Sequence, residues 1–379
     1  MSDFPEPSAA ADRTRMRAAL DLAARARGRT SPNPMVGALV VRDGVVVGEG
    51  WHARAGAPHA EVVALAQAGE AARGATLYVT LEPCVHHGRT PPCAPVVRDA
   101  GVARVVVASE DPDPRVLGRG VAFLREAGLQ VDMGVLDAEA RLLNEAYLHR
   151  VRTGRAFGVL KAAVTLDGRL GADGGDSRWI TGEAARARAH ELRDAHDAVL
   201  VGRGTLERDD PALDVRLAGE RRDPVAVVCD SRLAAPKERR LFRRAEAGAK
   251  VVVAAREDAP EDREAALRAL GVDVLRVPAG GDGRVDLTRL FAELARRGLN
   301  SVLVEGGETM HTATLSAGLI GRAHVFVAPV LLGGRQGPRL VGDLGLRSVA
   351  AGLRLADVEH EILPPDVLIS GRLVPSEGS

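Results

Sequence analysis

With 379 residues the chain is about twice the size of a typical domain, so two units, each with its own core, are expected. Lys plus Arg and Asp plus Glu balance at 51 each, which removes the attraction that a dedicated nucleic-acid or membrane-surface binder relies on; the expected partners are small molecules. No apolar run is long enough for a signal peptide or a membrane helix, and the three cysteines, Cys84, Cys93 and Cys229, are too few to staple the chain, so a cytoplasmic location is expected, with a chemical use for Cys84 and Cys93.

Residues 14–26 read as a helix, and residues 36–41 and 45–50 as strands joined by a hairpin turn at Asp43-Gly44. A second helix starts near His59. Residues 76–80 and 105–108 are short β-rich runs alternating with helical stretches, the rhythm of an α/β domain around a central sheet, and a helix over 137–151 closes this unit. The polar run Arg152-Thr153-Gly154-Arg155 marks a boundary, giving domains 1–151 and 152–379. Beyond it a strand over 157–164 opens a second alternation, with strands at 198–201, 225–229, 251–254, 302–305 and 323–327 and helices at 184–194, 262–270 and 287–297. The fold class is α/β in both halves. Cys229 reads as a small buried hydrophobe on its strand.

The sharpest chemical signal is His59-Ala60-Glu61, followed after a strand by Pro83-Cys84 and then by Cys93. One imidazole and two thiolates are three zinc ligands, which leaves the fourth position of a catalytic site open for a water made acidic by the metal. Glu61, two residues past a ligand at a helix start, can reach that water without ligating the metal and serve as general acid/base. Pro83 suits entry to a helix whose dipole would favour a deprotonated Cys84. A helix-packing histidine beside two unrelated cysteines is the plainer reading of any one of these residues, but zinc nucleobase deaminases carry H-x-E followed by P-C-x-x-C, and this chain departs only in placing eight residues between its cysteines.

That longer loop, Cys84-Val85-His86-His87-Gly88-Arg89-Thr90-Pro91-Pro92-Cys93, together with Ser31-Pro32-Asn33-Pro34-Met35-Val36-Gly37, closely resembles the bifunctional riboflavin-biosynthesis deaminase/reductase family. The resemblance continues through Lys161 to Gly168, Ser177 to Thr181, Asp209 to Leu213 and Val304 to Gly307, in the expected order and over nearly the whole chain. It implies a cytidine-deaminase-like three-layer α/β domain followed by a dihydrofolate-reductase-like α/β domain. It also implies one zinc ion per chain, NADPH, a pyrimidine ribosyl phosphate substrate and a homodimer formed through the second domain. Position by position, it makes His59, Cys84 and Cys93 the zinc ligands and Glu61 the proton shuttle. Asn33, His52, His86 and Arg89 are then expected to hold the pyrimidine and its phosphate; Arg89 stands where a lysine is expected in many relatives, a fork in place of a point charge.

In the second half, Glu305-Gly306-Gly307 follows an apolar strand and opens a helix, so its backbone can approach phosphates; alone it is more often a tight turn, and its spacing is not that of a Rossmann site. Lys161 is one of only three lysines, with Lys237 and Lys250, and a compact ammonium on an apolar strand fits donation to substrate oxygens, although a strand-end lysine can simply reach solvent. By resemblance Lys161, Ser177, Arg193, Leu213, Arg216 and Glu305 contact the substrate. Ala163, Trp179, Thr205, Asp209, Ser231, Gly307, Glu308 and Thr309 match positions near the cofactor, although Trp179 could equally be core. The alternative is a nucleoside or tRNA-type zinc deaminase whose second domain binds a ligand without catalysis; neutral charge and ten aromatic residues offer it little for stacking bases.

Overall fold

A computed structural model of the chain describes residues 8–88, 90–219 and 221–374. The chain divides into two compact units at Gly154/Arg155. The first contains α1 (Ala9–Ala24), β1 (Gly37–Arg42), β2 (Val45–Trp51), α2 (Ala60–Ala68), β3 (Thr76–Leu81), α3 (Cys93–Asp99), β4 (Arg104–Ser109), α4 (Arg119–Glu126), β5 (Gln130–Met133), α5 (Asp137–Leu143) and α6 (Glu145–Thr153). Its sheet has the order β2-β1-β3-β4-β5, antiparallel among β2, β1 and β3 and parallel from β3 to β5.

Strand alternation sorts the core into two layers. Ala38, Val40, Leu77, Val79, Val105 and Val107 face one way and pack under α2, α3 and α4. Leu39, Val41, Tyr78, Val106 and Ala108 face the other way, against α1 and α5. The helix α1 begins five residues before the predicted 14, because the Ser8 hydroxyl accepts from Ala11 N and caps it. Buried Asp12 then fastens α1 to the sheet, accepting from Tyr78 Oη at 2.7 Å and from Arg104 at 2.7 and 3.0 Å. Glycines at 48 and 50 let α2 lie directly on β2: a Cβ there would come within 2.1 Å of the Ala64 carbonyl and 2.5 Å of the Ala60 carbonyl.

Two expectations need correction. The helix predicted over 137–151 is broken at Asn144, whose backbone departs from helical values at φ −103° and ψ 19° and whose carboxamide accepts from Met35 N at 2.8 Å and donates to Met35 O at 2.9 Å. That bond pair anchors the Ser31–Val36 loop. Pro83 does not open a helix either; residues 82–85 are irregular, and the helix start lies at Cys93, with Pro92 as N-cap.

The second unit contains β6 (Phe157–Thr165), α7 (Glu183–Ala195), β7 (Ala198–Gly202), α8 (Arg203–Asp209), β8 (Val225–Cys229), α9 (Arg240–Glu246), β9 (Val251–Arg256), α10 (Glu261–Ala269), β10 (Asp273–Val277), α11 (Leu287–Arg296), β11 (Ser301–Val304), α12 (Glu308–Ser316), β12 (Ile320–Ala328), β13 (Arg354–Leu363) and β14 (Asp366–Val374). Its sheet runs β10-β9-β8-β7-β11-β6-β12-β14-β13, parallel from β10 to β12 with β14 and β13 antiparallel at the edge. The parallel strands are nearly continuous apolar runs, as burial on both faces requires. Because β11 lies between β6 and β7, residues following β7 and β11 meet the later part of β6 at the carboxyl ends of the strands, where open α/β sheets place their ligands.

Candidate active sites

A cavity of about 430 Å³ opens in the first unit. His59 is the N-cap residue of α2, Cys93 the first residue of α3, and Cys84 follows β3 by three residues. Cys84 Sγ lies 3.5 Å from His59 Nδ1 and 3.4 Å from Cys93 Sγ, and the three donor atoms all fall within 4.8 Å of one another. Ligands of a tetrahedral zinc stand roughly 3.5–3.8 Å apart, so one imidazole and two sulfurs in this arrangement fit that ion. Cys84 N donates to Cys93 Sγ and Ala94 N to Cys84 O, which ties the loop to α3. Hydrogen bonding from Cys93 draws the Cys84 thiol well down, with His59 adding to it, while the same contact and burial push Cys93 up. The helix start that was expected to favour Cys84 belongs to Cys93.

Glu61 sits in the first turn of α2, 2% exposed, and its Oε2 has no hydrogen-bond partner among the described residues. Burial raises its carboxyl above the usual range against the pull of His59. A buried carboxyl with a vacant oxygen beside a metal triad is suited to taking and giving a proton. Asn33, His52 and His86 line the same cavity; Arg89 falls outside the described residues.

Several residues that the sequence reading passed over also shape this cavity. Thr90 Oγ1 stands 2.7 Å from His59 Nε2, which leaves Nδ1 for the cysteine side. Asp111, next to β4, accepts from the Tyr147 hydroxyl at 3.0 and 3.1 Å, and burial pushes its carboxyl up to about 6. Glu82, 4% exposed, accepts from Gly118, Gly120 and Val121 N–H groups at the start of α4. Only Thr90 carried a visible signal, a hydroxyl inside the loop between two ligands.

The second unit holds a cavity of about 380 Å³. Glu305, just past β11, accepts both prongs of the Arg193 guanidinium from α7 at 2.7 and 2.8 Å, and Lys161 Nζ reaches it from β6 at 3.6 Å. Lys161 is therefore a largely buried, paired ammonium rather than a solvent-seeking one. Ser177, Leu213 and Arg216 line the same cavity, as do Ala163, Thr205, Asp209 and Gly307. Trp179 is not core: it is 70% exposed at the cavity, with the Arg186 guanidinium 4.7 Å over its ring. Among the described residues, Ser231, Glu308 and Thr309 stand outside the lining. Ser231 Oγ accepts from Val285 N and Glu308 Oε2 from Arg339 N. Arg178, Arg208 and Arg240 add cationic groups that the sequence reading did not single out.

Fold and cavities together define a two-part enzyme, a zinc-binding deaminase unit followed by a reductase unit of the kind that uses a nicotinamide cofactor. Residues 9–109 match the cytidine and deoxycytidylate deaminase zinc-binding region, and residues 156–369 match the RibD C-terminal domain. The chain belongs to the RibD family, the bifunctional deaminase/reductases of riboflavin biosynthesis. It is 43% identical to riboflavin biosynthesis protein RibD of Escherichia coli, covering 93% of this chain and 97% of that one, and 42% identical to RibD of Aquifex aeolicus, covering 94% and 97%. Among solved structures it is similar to Acinetobacter baumannii RibD, with a TM-score of 0.87 at 37% identity, covering 98% of this chain and 100% of that one. It is also similar to the diaminohydroxyphosphoribosylaminopyrimidine deaminase/5-amino-6-(5-phosphoribosylamino)uracil reductase of Thermotoga maritima, with a TM-score of 0.81 at 35% identity, covering 96% and 99%. The resemblance read from the sequence holds over both units, and a nucleoside or tRNA-type deaminase with a silent second unit is not favoured.

Proposed function

We propose that residues 1–151 deaminate 2,5-diamino-6-ribosylamino-4(3H)-pyrimidinone 5′-phosphate and that residues 152–379 then reduce its ribosyl chain with NADPH, giving 5-amino-6-ribitylamino-uracil 5′-phosphate. The observation that carries the first step is the vacant, buried Glu61 Oε2 in the cavity of the His59, Cys84 and Cys93 triad. These three residues would hold one zinc ion per chain, which supplies the acidity that makes water a nucleophile near neutral pH. Glu61 takes the proton of the attacking water and delivers it to the exocyclic nitrogen, which leaves as ammonia. Asn33 and His86 orient the pyrimidine, and Arg89 neutralises the substrate phosphate.

In the second cavity NADPH would supply the hydride. Lys161, steadied by Glu305, donates to the ribose oxygen that gains negative charge as the sugar carbon is reduced. Arg193 holds Glu305 ionised for that task, while Ser177, Leu213 and Arg216 enclose the substrate and Ala163, Trp179, Thr205, Asp209 and Gly307 the nicotinamide end of the cofactor. Ser231, Glu308 and Thr309 belong to the cofactor's more distant reaches in this reading. The protein works as a cytoplasmic homodimer; no helix among the described residues is long and apolar enough to cross a membrane.

The test gives the purified protein the diamino-pyrimidinone ribosyl phosphate and NADPH and follows ammonia and NADPH together. Ammonia first and NADPH loss after it is the expected order. Ammonia without NADPH loss would remove the reductase assignment, and NADH replacing NADPH at equal efficiency would remove the cofactor assignment.

A further inference from the structure

His52 follows β2 and is 2% exposed, its ring edge against His59 with centroids 5.6 Å apart. Both ring nitrogens are engaged. Nδ1 stands 3.1 Å from the Pro58 carbonyl, and Nε2 stands 3.0 Å from Nδ2 of Asn33. A carbonyl oxygen can only accept and an amide nitrogen can only donate, so the ring in this arrangement is neutral, with its proton on Nδ1 and its lone pair on Nε2. The chain of bonds therefore runs from Asn33 through His52 to Pro58 and fixes the amide at its far end. With Nδ2 committed to His52, Asn33 Oδ1 has no hydrogen-bond partner among the described residues, and Asn33 lines the cavity. The Asn33 backbone is itself held, its N–H donating to Thr30 O at 2.9 Å.

We infer that His52 is a positioning residue that acts through Asn33, locking the carboxamide so that its oxygen is offered to the cavity as an acceptor for an N–H of the substrate ring. An aminated pyrimidinone is rich in such donors, so a fixed acceptor selects for it, whereas a free amide could turn and present a donor instead. The ligand assigned here rests on the deaminase reading above. His52 lines the cavity as well, but both of its ring nitrogens are taken, so it works through Asn33 and leaves the polar contact with the substrate to the amide.

Two measurements test this. The first, on the zinc-loaded protein without substrate, is the ¹⁵N NMR signature of the His52 ring: a protonated Nδ1 with a bare Nε2 is expected, and a protonated Nε2 overturns the inference. The second is a double-mutant cycle on ammonia release. Asn33→Ala and His52→Ala should each raise KM roughly tenfold, the loss of about one hydrogen bond, with kcat changed less and zinc content unchanged. The double variant should be no worse than Asn33→Ala alone. Multiplying effects would mean that His52 meets the substrate directly and would overturn the proposal. His52→Gln keeps a donor and an acceptor about as far apart and should recover KM; if His52→Ala does not fold, the cycle is run with His52→Leu, and failure of the Gln rescue counts against the proposal. A parent protein that releases no ammonia from the diamino-pyrimidinone would sink the substrate reading while leaving the tautomer result to stand by itself.

Discussion

Glu305 and Arg193 form a two-pronged ion pair, with N···O distances of 2.7 and 2.8 Å, in which both side chains are largely buried. Burial pushes the Glu305 carboxyl up, but the charges of Arg193 and Lys161 outweigh it and hold it at about 2, below its ordinary 4.5. A carboxylate whose folded value lies below its unfolded one stabilises the fold above the unfolded value, and that contribution is lost as pH falls from 4.5 toward 2. Arg193→Met leaves the carboxylate with Lys161 alone and should cost about 3 kcal/mol at pH 7, the usual penalty for orphaning a buried charge. Near pH 4 the penalty should shrink, because the orphaned carboxyl is then protonated. Urea unfolding of parent and variant at both pH values gives the two differences, and equal penalties would contradict the assigned charge state.

Glu61→Gln keeps the shape of the side chain and all three candidate zinc ligands but removes the carboxylate. Zinc content by elemental analysis should match the parent, while ammonia release falls 10²- to 10⁴-fold, the range expected when a general acid/base is lost. Turnover near the parent rate would assign the proton transfer to another group in the cavity, with Asp111 the first to try.

Much of the first site was legible because its members are close in the chain. His59 and Glu61 share one helix start, and the loop that carries Cys84 and Cys93 spans only ten residues, so residue type and spacing nearly define the constellation. Asn144 was illegible for the opposite reason. The apolar pattern continues on both sides of it, and the Met35 backbone that its carboxamide binds is 109 positions away. Pro83 misled because a proline that can open a helix can equally sit in a turn; what decides is Glu82 beside it, whose carboxylate is committed to α4. In the second unit Lys161, Arg193 and Glu305 meet only because β11 lies beside β6 and α7 comes alongside, a convergence that no local pattern encodes. Resemblance to a family could name those residues; the pairing that holds Glu305 ionised came from the structure.

Stripping the metal should affect the two activities differently. A ligand that binds only the folded state stabilises it by mass action, so a zinc chelator should lower the thermal midpoint of the first unit and stop ammonia release. Supplied with already deaminated substrate, the chelated protein should still oxidise NADPH, because Lys161, Arg193 and Glu305 form their network without any of the metal-binding residues. Loss of reduction under these conditions would mean that the second activity depends on the first site.

Glu82 is the residue through which the fold reaches the metal loop. Its two oxygens accept from Gly118, Gly120 and Val121 at 3.1, 2.9 and 3.1 Å, satisfying N–H groups at the start of α4 that no helical carbonyl can reach. Gly120 is needed for the approach, since a Cβ there would lie 1.9 Å from the Pro83 carbonyl, one residue before Cys84. Glu82→Ala leaves three N–H groups without their partner and should cost about 3 kcal/mol at roughly 1 kcal/mol for each bond. Glu82→Gln retains one acceptor oxygen and should cost less. Because the same contacts brace the residue next to Cys84, zinc should also leave Glu82→Ala faster than the parent, followed by transfer to a chromogenic chelator. A variant as unstable as expected that nevertheless keeps its zinc at the parent rate would make Glu82 a helix anchor and nothing more; faster release at near-parent stability would make the Cys84 loop its main charge.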